Sequence, residues 1–205
     1  ALLEAMQEHT VTVGSETHTL QEPFFVMATQ NPIEMEGTYP LPEAQVDRFL
    51  FKLVVEYPTR NDLMEILDRT TKRETPSAQA VMDGAAVLEW RAFVREVVSA
   101  PRVTEYAVRL VLATQPGGDD ATDMVRQYVR FGTSPRGAQA LLLAGKVNAL
   151  RDGRYNVSFE DIRAAALPAL RHRVLLNFEA DADGVTSDAV ISDLLEKVAE
   201  AAKVA

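Results

Sequence analysis

The stretch from residue 26 to residue 51, VMATQNPIEMEGTYPLPEAQVDRFLF, is the most informative part of the sequence about the fold. It begins inside a short apolar run, residues 24–28, which is typical of a strand buried on both faces of a parallel sheet. It ends inside a second apolar run, residues 49–55, which predicts another strand. Between the two runs, a proline-rich loop leads into a short helix with Pro42 as its first residue. The stretch therefore predicts one part of an α/β unit.

The residues before this stretch predict a helix followed by a hairpin. Residues 1–8, ALLEAMQE, are strong helix formers with no cap and no starting Met, so we expect the chain to be a piece of a longer protein. Residues 9–20 form two alternating runs around Gly14, which is typical of a hairpin with a two-residue turn. That turn predicts a register in which Thr12 faces Thr17.

From about residue 60 onward the pattern is helical throughout. Apolar residues recur at helical spacing, Ser134 precedes a proline that opens a long helix, and Ser158 begins a capping-box-like sequence. The predicted helices cover residues 61–72, 88–98, 103–114, 135–150, a segment from 159, and 194–202, with linkers at 74–86 and 179–187. We therefore predict two domains, a partial α/β core over residues 1–58 and a helical module over residues 59–205.

The composition limits the classes of function. The 205 residues carry 21 Lys and Arg against 30 Asp and Glu, a formal net charge of −9, so a general nucleic-acid binder is not expected. Cysteine is absent, which excludes disulfides and thiolate metal sites and fits a reducing compartment. The sequence contains no apolar run near the roughly 18 residues that span a bilayer, so no membrane span is expected.

No metal site is predicted. Glu34, Glu36 and Glu43 crowd one loop, but no His or Asp completes a ligand set, so solvated charges are the better interpretation. The three histidines share no metal or catalytic spacing. The basic triplet at residues 171–173, Arg-His-Arg, is interpreted as an exposed surface cluster.

Asn31 is the first candidate functional residue. It follows the apolar run at residues 24–28, and ligands in open α/β sheets lie beyond the carboxyl ends of the strands. An amide can donate and accept, which suits the positioning of a water molecule beside a phosphorus atom. The other interpretation is that Asn31 and the following proline begin a turn, and residue type alone favours it.

Arg48 is the second candidate, at the end of the predicted short helix. A guanidinium fork matches the geometry of a phosphate and keeps its charge at any ordinary pH. However, a cation in the last turn of a helix is also stabilised by the helix dipole, so Arg48 needs no ligand to explain its position.

Arg136 is the third candidate and the most informative. Ser134 as N-cap and Pro135 as the first helical residue place Arg136 at the second position of its helix, where the helix end is already positive. A cation is disfavoured there, so an anion should compensate its charge. The anion could be a carboxylate or a bound phosphate, and the residues alone leave both open.

With these residues in hand, the sequence resembles the MoxR-type branch of the AAA+ ATPases. The resemblance is close over residues 1–60 (ALLEAMQEHTVTVG and PFFVMATQNPIEMEGTYPLPEAQVDRFLF) and recognisable through FGTSPRGAQALLLAGKVNAL. It fades over residues 61–100 and after about residue 175. The resemblance implies a fold with two parts: the C-terminal part of a P-loop αβα module with a hairpin insert, followed by a helical lid.

The resemblance also implies a role for each candidate residue. Asn31 would be sensor 1, which aligns the attacking water. Arg48 would be the arginine finger, which reaches the nucleotide of the neighbouring subunit and stabilises charge on the transferred phosphoryl group. Arg136 would be sensor 2, which reaches from the lid to the γ-phosphate, and that phosphate would be the anion its helix position requires.

The cofactors and partners follow from the same resemblance. They are ATP and Mg²⁺, a homo-oligomeric ring that is expected to be hexameric, protein clients and a partner with a von Willebrand A domain. The implied work is chaperone-like remodelling or the maturation of metalloenzymes, in the cytoplasm.

This sequence departs from the family pattern because it contains neither the GxxxxGK[ST] loop of Walker A nor the Walker B strand. The 205-residue chain alone is therefore expected to be inactive. The alternative function is an acidic helical protein-interaction module in which the arginines are structural, and a carboxylate that fully pairs Arg136 would favour it. A third, weaker interpretation is a DNA-linked ring motor, which the negative charge argues against.

Overall fold

The computed structural model describes residues 2–30, 41–72 and 77–200. The chain opens with α1 (Leu2–Glu8) and a hairpin made of β1 (Thr10–Val13) and β2 (Glu16–Thr19). The predicted register is confirmed, because Thr12 faces Thr17 across the two strands. Gly14 adopts φ +65° in the turn, a backbone conformation that glycine reaches without strain.

Within the described residues, the prediction of two buried strands was wrong. Residues 24–28 and 49–55 belong to no sheet, and Phe25 and Val55 are 82% and 91% exposed. A strand exists only through hydrogen bonds to a neighbour, and no other strand of the described residues lies beside either run. Between them, α2 (Glu43–Val46) has Pro42 as its N-cap rather than as its first residue.

The rest of the chain is mainly helical, as predicted. Its helices are α3 (Arg60–Thr71), α4 (Gly84–Glu96), α5 (Pro101–Ala113), α6 (Asp123–Tyr128), α7 (Pro135–Arg151), α8 (Phe159–Leu170), α9 (Phe178–Asp183) and α10 (Ser187–Lys197). Two short strand pairs that the sequence pattern did not predict lie among them: β3 (Val98–Ser99) runs parallel to β5 (Asn156–Val157), and β4 (Val129–Phe131) runs antiparallel to β6 (Leu175–Leu176).

Helix bounds differ from the prediction where caps override the apolar spacing. The side chain of Thr186 accepts from the N–H of Ala189, so the last helix begins there rather than at residue 194. The predicted linker at 179–187 contains α9, which begins after the cap Asn177. The predicted linker at 74–86 overlaps the start of α4, and its residues 74–76 lie outside the described part.

The hydrophobic core lies entirely in the helical part. The buried apolar side chains between residues 97 and 194, with the exception of Ala180, form one cluster, and α7 packs against both α5 and α8. The close approach of α7 requires Gly145, because a Cβ there would lie 2.9 Å from a methyl group of Val157. Within residues 2–30, 41–72 and 77–96, Ala5 is the one buried apolar residue. The predicted domain boundary at residues 58 and 59 stays a prediction.

Candidate functional site

A carboxylate just after α2 joins the candidate arginines to the helical part. One oxygen of Asp47 accepts from Nη1 of Arg136 at 2.8 Å, and the other accepts from Nε of Arg173 at 3.2 Å. The hydroxyl of Ser134 donates to both oxygens, at 2.9 and 3.0 Å. The carboxylate is only 17% exposed. A single acidic side chain therefore connects the end of α2, the start of α7 and the segment after α8.

Arg136 occupies the position that the sequence predicted, at the start of α7. Ser134 caps this helix by accepting from the N–H of Arg136 at 3.2 Å. The anion that its position requires is supplied here by Asp47. Yet the side chain of Arg136 stays 45% exposed, and Nη1 alone of its nitrogens donates to that carboxylate among the described residues. The pairing is partial, so part of the guanidinium remains accessible to another anion.

Arg48 lies next to Asp47 but turns towards the N-terminal helix. When the side-chain amide of Gln7 is oriented with its oxygen towards Arg48, that oxygen accepts from both terminal nitrogens of Arg48, at 2.5 and 3.2 Å. The Nε of Arg48 is buried and has no hydrogen-bond acceptor in the described residues. Asn31, the third predicted site residue, lies outside the described residues. The structure thus brings Arg136 into contact with the residue before Arg48.

The basic triplet at residues 171–173 is not the surface cluster that the sequence suggested. The side chain of Arg173 is 2% exposed, and it donates to the carbonyl oxygens of Asp47 at 2.9 Å, Phe49 at 2.7 Å and Leu50 at 3.2 Å. Arg173 also donates to the carbonyl of Ala169 in the preceding helix. No local sequence signal predicts this role, because Asp47, Phe49 and Leu50 lie more than a hundred residues before Arg173 in the chain.

The neighbours of Arg173 extend the same contact. His172 Nε2 lies 2.9 Å from the carbonyl oxygen of Phe49, and Arg171 donates to the carbonyl of Lys52 at 3.3 Å. The N–H of Lys52 in turn donates to the carbonyl of Pro168 at 2.9 Å. We call residues 171–173 the docking triplet, since together they bind the main chain of residues 47–52.

Burial sets the protonation of this contact. Burial alone would raise the pKa of Asp47, but hydrogen bonds from Arg136 and Ser134 and the charge of Arg173 hold that pKa below its usual value. Burial and the positive charge of Arg173 lower the pKa of His172 to about 4, against the hydrogen bond to Phe49. His172 is therefore neutral at pH 7 and donates from Nε2, while Nδ1 is buried with no partner in the described residues.

A metal ion and a nucleotide would require different groups from the described residues. No group of three or more His, Asp or Glu among them could hold a metal ion. A phosphate finds a suitable donor in the half-exposed guanidinium of Arg136 at the positive end of α7. No helix in residues 2–30, 41–72 and 77–200 is both long and apolar enough to cross a membrane.

Comparison with known families agrees with this architecture. Residues 1–51 match the ATPase family associated with various cellular activities (AAA), and residues 121–194 match the AAA lid domain. The first match ends after Arg48 and the second contains Arg136. The two parts that Asp47 joins are therefore the two parts that the families describe.

Similar proteins match almost the whole chain. This chain is 39% identical over 199 residues to Chaperone MoxR1 of Mycobacterium tuberculosis, and the match covers 97% of this chain and 52% of that protein. It is 40% identical over 201 residues to YeaC, an uncharacterised protein of Bacillus subtilis, covering 97% of this chain and 59% of that one. A solved structure, a candidate ATPase from Cytophaga hutchinsonii, superposes with a TM-score of 0.89 at 38% identity, covering 97% of this chain and 60% of that one.

The chain spans between half and three fifths of the length of these relatives. The predicted fold class, the C-terminal part of an AAA+ αβα module followed by a helical lid, is confirmed by the two family matches in this order and by the superposition. The chain belongs to the AAA family of ATPases, in the branch of the MoxR proteins.

Proposed function

We propose that this chain is the sensor and lid part of a MoxR-type ring ATPase that hydrolyses ATP to remodel protein partners. In this proposal Arg136 binds the terminal phosphate of ATP in its own subunit. Arg48 acts as the arginine finger on the nucleotide of the neighbouring subunit, and Asn31 aligns the attacking water. The observation that carries the proposal is the partial pairing of Arg136 with Asp47 at the start of α7.

The contact between Arg136 and Asp47 is suited to exchange. An ion pair with an exposed partner contributes only about 0–1 kcal/mol, because water screens the charges. A triphosphate carries more charge than one carboxylate and offers several acceptor oxygens to the guanidinium. Asp47 would not be left unpaired, since Ser134 and Arg173 still donate to it. A phosphate can therefore replace Asp47 at Arg136 at little cost.

Arg48 needs a comparable exchange to act as a finger. Its terminal nitrogens bind the neutral amide of Gln7, which is a weaker acceptor than the charged oxygens of a phosphoryl group. A finger adds positive charge where negative charge develops on the transferred group, and it can raise the rate by about 10³–10⁵-fold.

ATP supplies the phosphoryl group, and Mg²⁺ neutralises its charge when bound. Arg136 is the residue of this chain that would contact the nucleotide of its own subunit. The sequence holds no phosphate-binding loop and no Walker B strand, so the 205-residue chain alone should not hydrolyse ATP.

The proposed partners include other copies of the same protein. A homo-oligomeric ring follows from a finger that acts between subunits, and the hexameric number rests on the resemblance to the MoxR branch. Protein clients are supported by the name of the relative Chaperone MoxR1. A von Willebrand A domain partner, a role in the maturation of metalloenzymes and a cytoplasmic location rest on the resemblance to the MoxR branch.

The test uses two variants of the full-length ATPase. Arg48→Ala should abolish turnover while leaving ATP binding nearly unchanged, since the finger contacts another subunit's nucleotide. Arg136→Ala should weaken ATP binding as well, and titration with a fluorescent ATP analogue measures this. Arg48→Ala subunits mixed with subunits that cannot bind nucleotide should regain turnover. If the mixture stays inactive, the role of Arg48 between subunits is wrong.

The second candidate is an acidic helical module that docks other proteins. The contacts of Asp47 with Arg136 and Arg173 favour it, because they show that both arginines also have a structural use. In that case Arg136→Ala would lower the free energy of unfolding and leave ATP binding unchanged. The DNA-motor interpretation predicts salt-sensitive retention of DNA in a filter-binding assay, which the net charge of −9 makes unexpected.

A further inference from the structure

Arg173 has no role in the proposed reaction, yet it is the most buried charged side chain of the docking triplet. A buried cation is costly unless hydrogen bonds and an anion compensate it. Arg173 has both, the carboxylate of Asp47 and the carbonyl oxygens of Asp47, Phe49 and Leu50. All three of these residues lie within two positions of Arg48. The positively charged side chain of Arg173 therefore holds the segment that carries Arg48, the proposed arginine finger.

The docking triplet holds this segment on both sides of Arg48. Asp47, the residue before Arg48, is bound through its carboxylate and its carbonyl, and Phe49, the residue after it, is bound by both Arg173 and His172. Within the described residues, no hydrogen bond or ion pair joins the Arg48 side chain to the triplet. The peptide that places Arg48 is thus fixed to the lid, while the Arg48 guanidinium is bound by Gln7 of α1 rather than by the lid.

We propose that Arg173 is a positioning residue for Arg48. Through Asp47, Phe49 and Leu50 it fixes residues 47–52, which we call the finger segment, to the lid of the same subunit. A movement of the lid is then transmitted to Arg48 and so to the nucleotide of the neighbouring subunit. This inference rests on the proposed function of Arg48. It assigns Arg173 no contact with nucleotide.

The lid provides a matched control in Arg154. Arg154, just before β5, donates through two nitrogens to the buried carboxylate of Asp161 in the first turn of α8, each at 2.8 Å. Neither residue contacts the segment 47–52 in the described structure. Arg154→Gln therefore removes the lid ion pairs with Asp161 and Asp152 without touching the finger segment, whereas Arg173→Gln removes an ion pair that holds this segment.

The experiment compares these variants in the full-length ATPase. Arg173→Gln should lower kcat by about 10- to 100-fold, because displacing a catalytic group by about 1 Å can cost that much, while the Kd for ATP stays within about twofold. Arg154→Gln should keep kcat close to that of the wild type. Arg173→Lys keeps the charge beside Asp47 but cannot reach all three carbonyls. Its kcat should therefore lie between that of Arg173→Gln and that of the wild type.

Mixed rings separate positioning from loss of structure. Subunits with Arg173→Gln bind ATP but present Arg48 poorly, so mixing them with subunits that cannot bind nucleotide should restore turnover. A lid that is merely damaged would fail in its own subunit, and mixing would restore nothing. If Arg173→Gln does not fold, the same mixture is made with Arg173→Lys.

Three results would overturn the inference. They are an equal loss of kcat in Arg154→Gln, no recovery in the mixed rings, and wild-type kcat in Arg173→Lys together with Arg173→Gln. If Arg48→Ala abolishes turnover while these results are found, the inference about Arg173 is wrong and the proposed function stands. If Arg48→Ala itself leaves turnover unchanged, the proposed function fails and the inference fails with it.

Discussion

The lid and the N-terminal part differ in what holds them together. The lid buries one continuous apolar cluster between residues 97 and 194, whereas the N-terminal part, residues 2–57, buries only Ala5 among its described apolar residues. Its ion pairs with the helical part include those of Asp47 with Arg136 and Arg173 and that of Glu22 with Arg91, and the docking triplet adds hydrogen bonds to its main chain. The lid is therefore stabilised by its own packing, while the finger segment takes its position from hydrogen bonds to the lid.

The largest expected effect tests the packing on each side of this comparison. Leu141 in α7 is fully buried, so Leu141→Ala should lower the free energy of unfolding of the 205-residue chain by about 2–5 kcal/mol. Phe25 has a larger side chain than Leu141 but is exposed. Phe25→Ala should therefore change the free energy of unfolding by less than about 0.5 kcal/mol. Urea denaturation measures both. Similar values for the two variants would show that the N-terminal part shares the core.

A smaller effect concerns pH and the docking triplet. In the folded chain the pKa of His172 is about 4, against 6.5 for an ordinary histidine, so between these values the unfolded chain binds a proton that the folded chain does not. The stability that His172 contributes is complete above pH 6.5, falls as the pH falls and is lost below pH 4. The total is about 3 kcal/mol, from 1.36 kcal/mol per pKa unit.

Denaturation curves at a series of pH values measure this effect, and His172→Asn should flatten the dependence between pH 6.5 and 4. Asp47 acts in a different window. Its lowered pKa stabilises the folded chain above the ordinary carboxyl value of 3.8, and this contribution is lost as the pH falls below it. A loss of stability confined to pH below 4 in the wild type would contradict the role of His172.

The smallest effect compares the same motif in the two environments. Ser158 and Thr59 each form a capping box, at the start of α8 in the lid and of α3 outside the core. Ser158→Ala should lower the free energy of unfolding of the lid by about 1 kcal/mol, since α8 packs into the core. Thr59→Ala should leave the main transition unchanged and increase hydrogen exchange in α3 only. Equal shifts in the main transition would show that α3 unfolds with the lid.

The sequence predicted what local chemistry controls. The cap Ser134, the capping box at Ser158 and the hairpin register at Thr12 all depend on residues within a few positions of each other, and all were confirmed. Arg136 belongs to this group, because its place at a positive helix end predicted a compensating anion, which Asp47 supplies.

The predictions that failed depend on distant partners. Residues 24–28 and 49–55 carry strand composition, but pairing requires a neighbouring strand, and the described residues contain none beside them. The burial of Arg173 depends on carbonyl groups that every residue has, so no side-chain pattern could announce it. The roles of Asn31, Arg48 and Arg136 as nucleotide-contacting residues stay predictions.

Because Arg173 recognises carbonyl oxygens, the lid selects the course of the backbone at Asp47, Phe49 and Leu50 rather than the identity of the side chains at the last two positions. Relatives can therefore exchange residues at positions 49 and 50 and still seat the segment in the same way. Position 52 carries a separate restriction. The N–H of Lys52 donates to the carbonyl of Pro168, and a proline at position 52 would remove that donor.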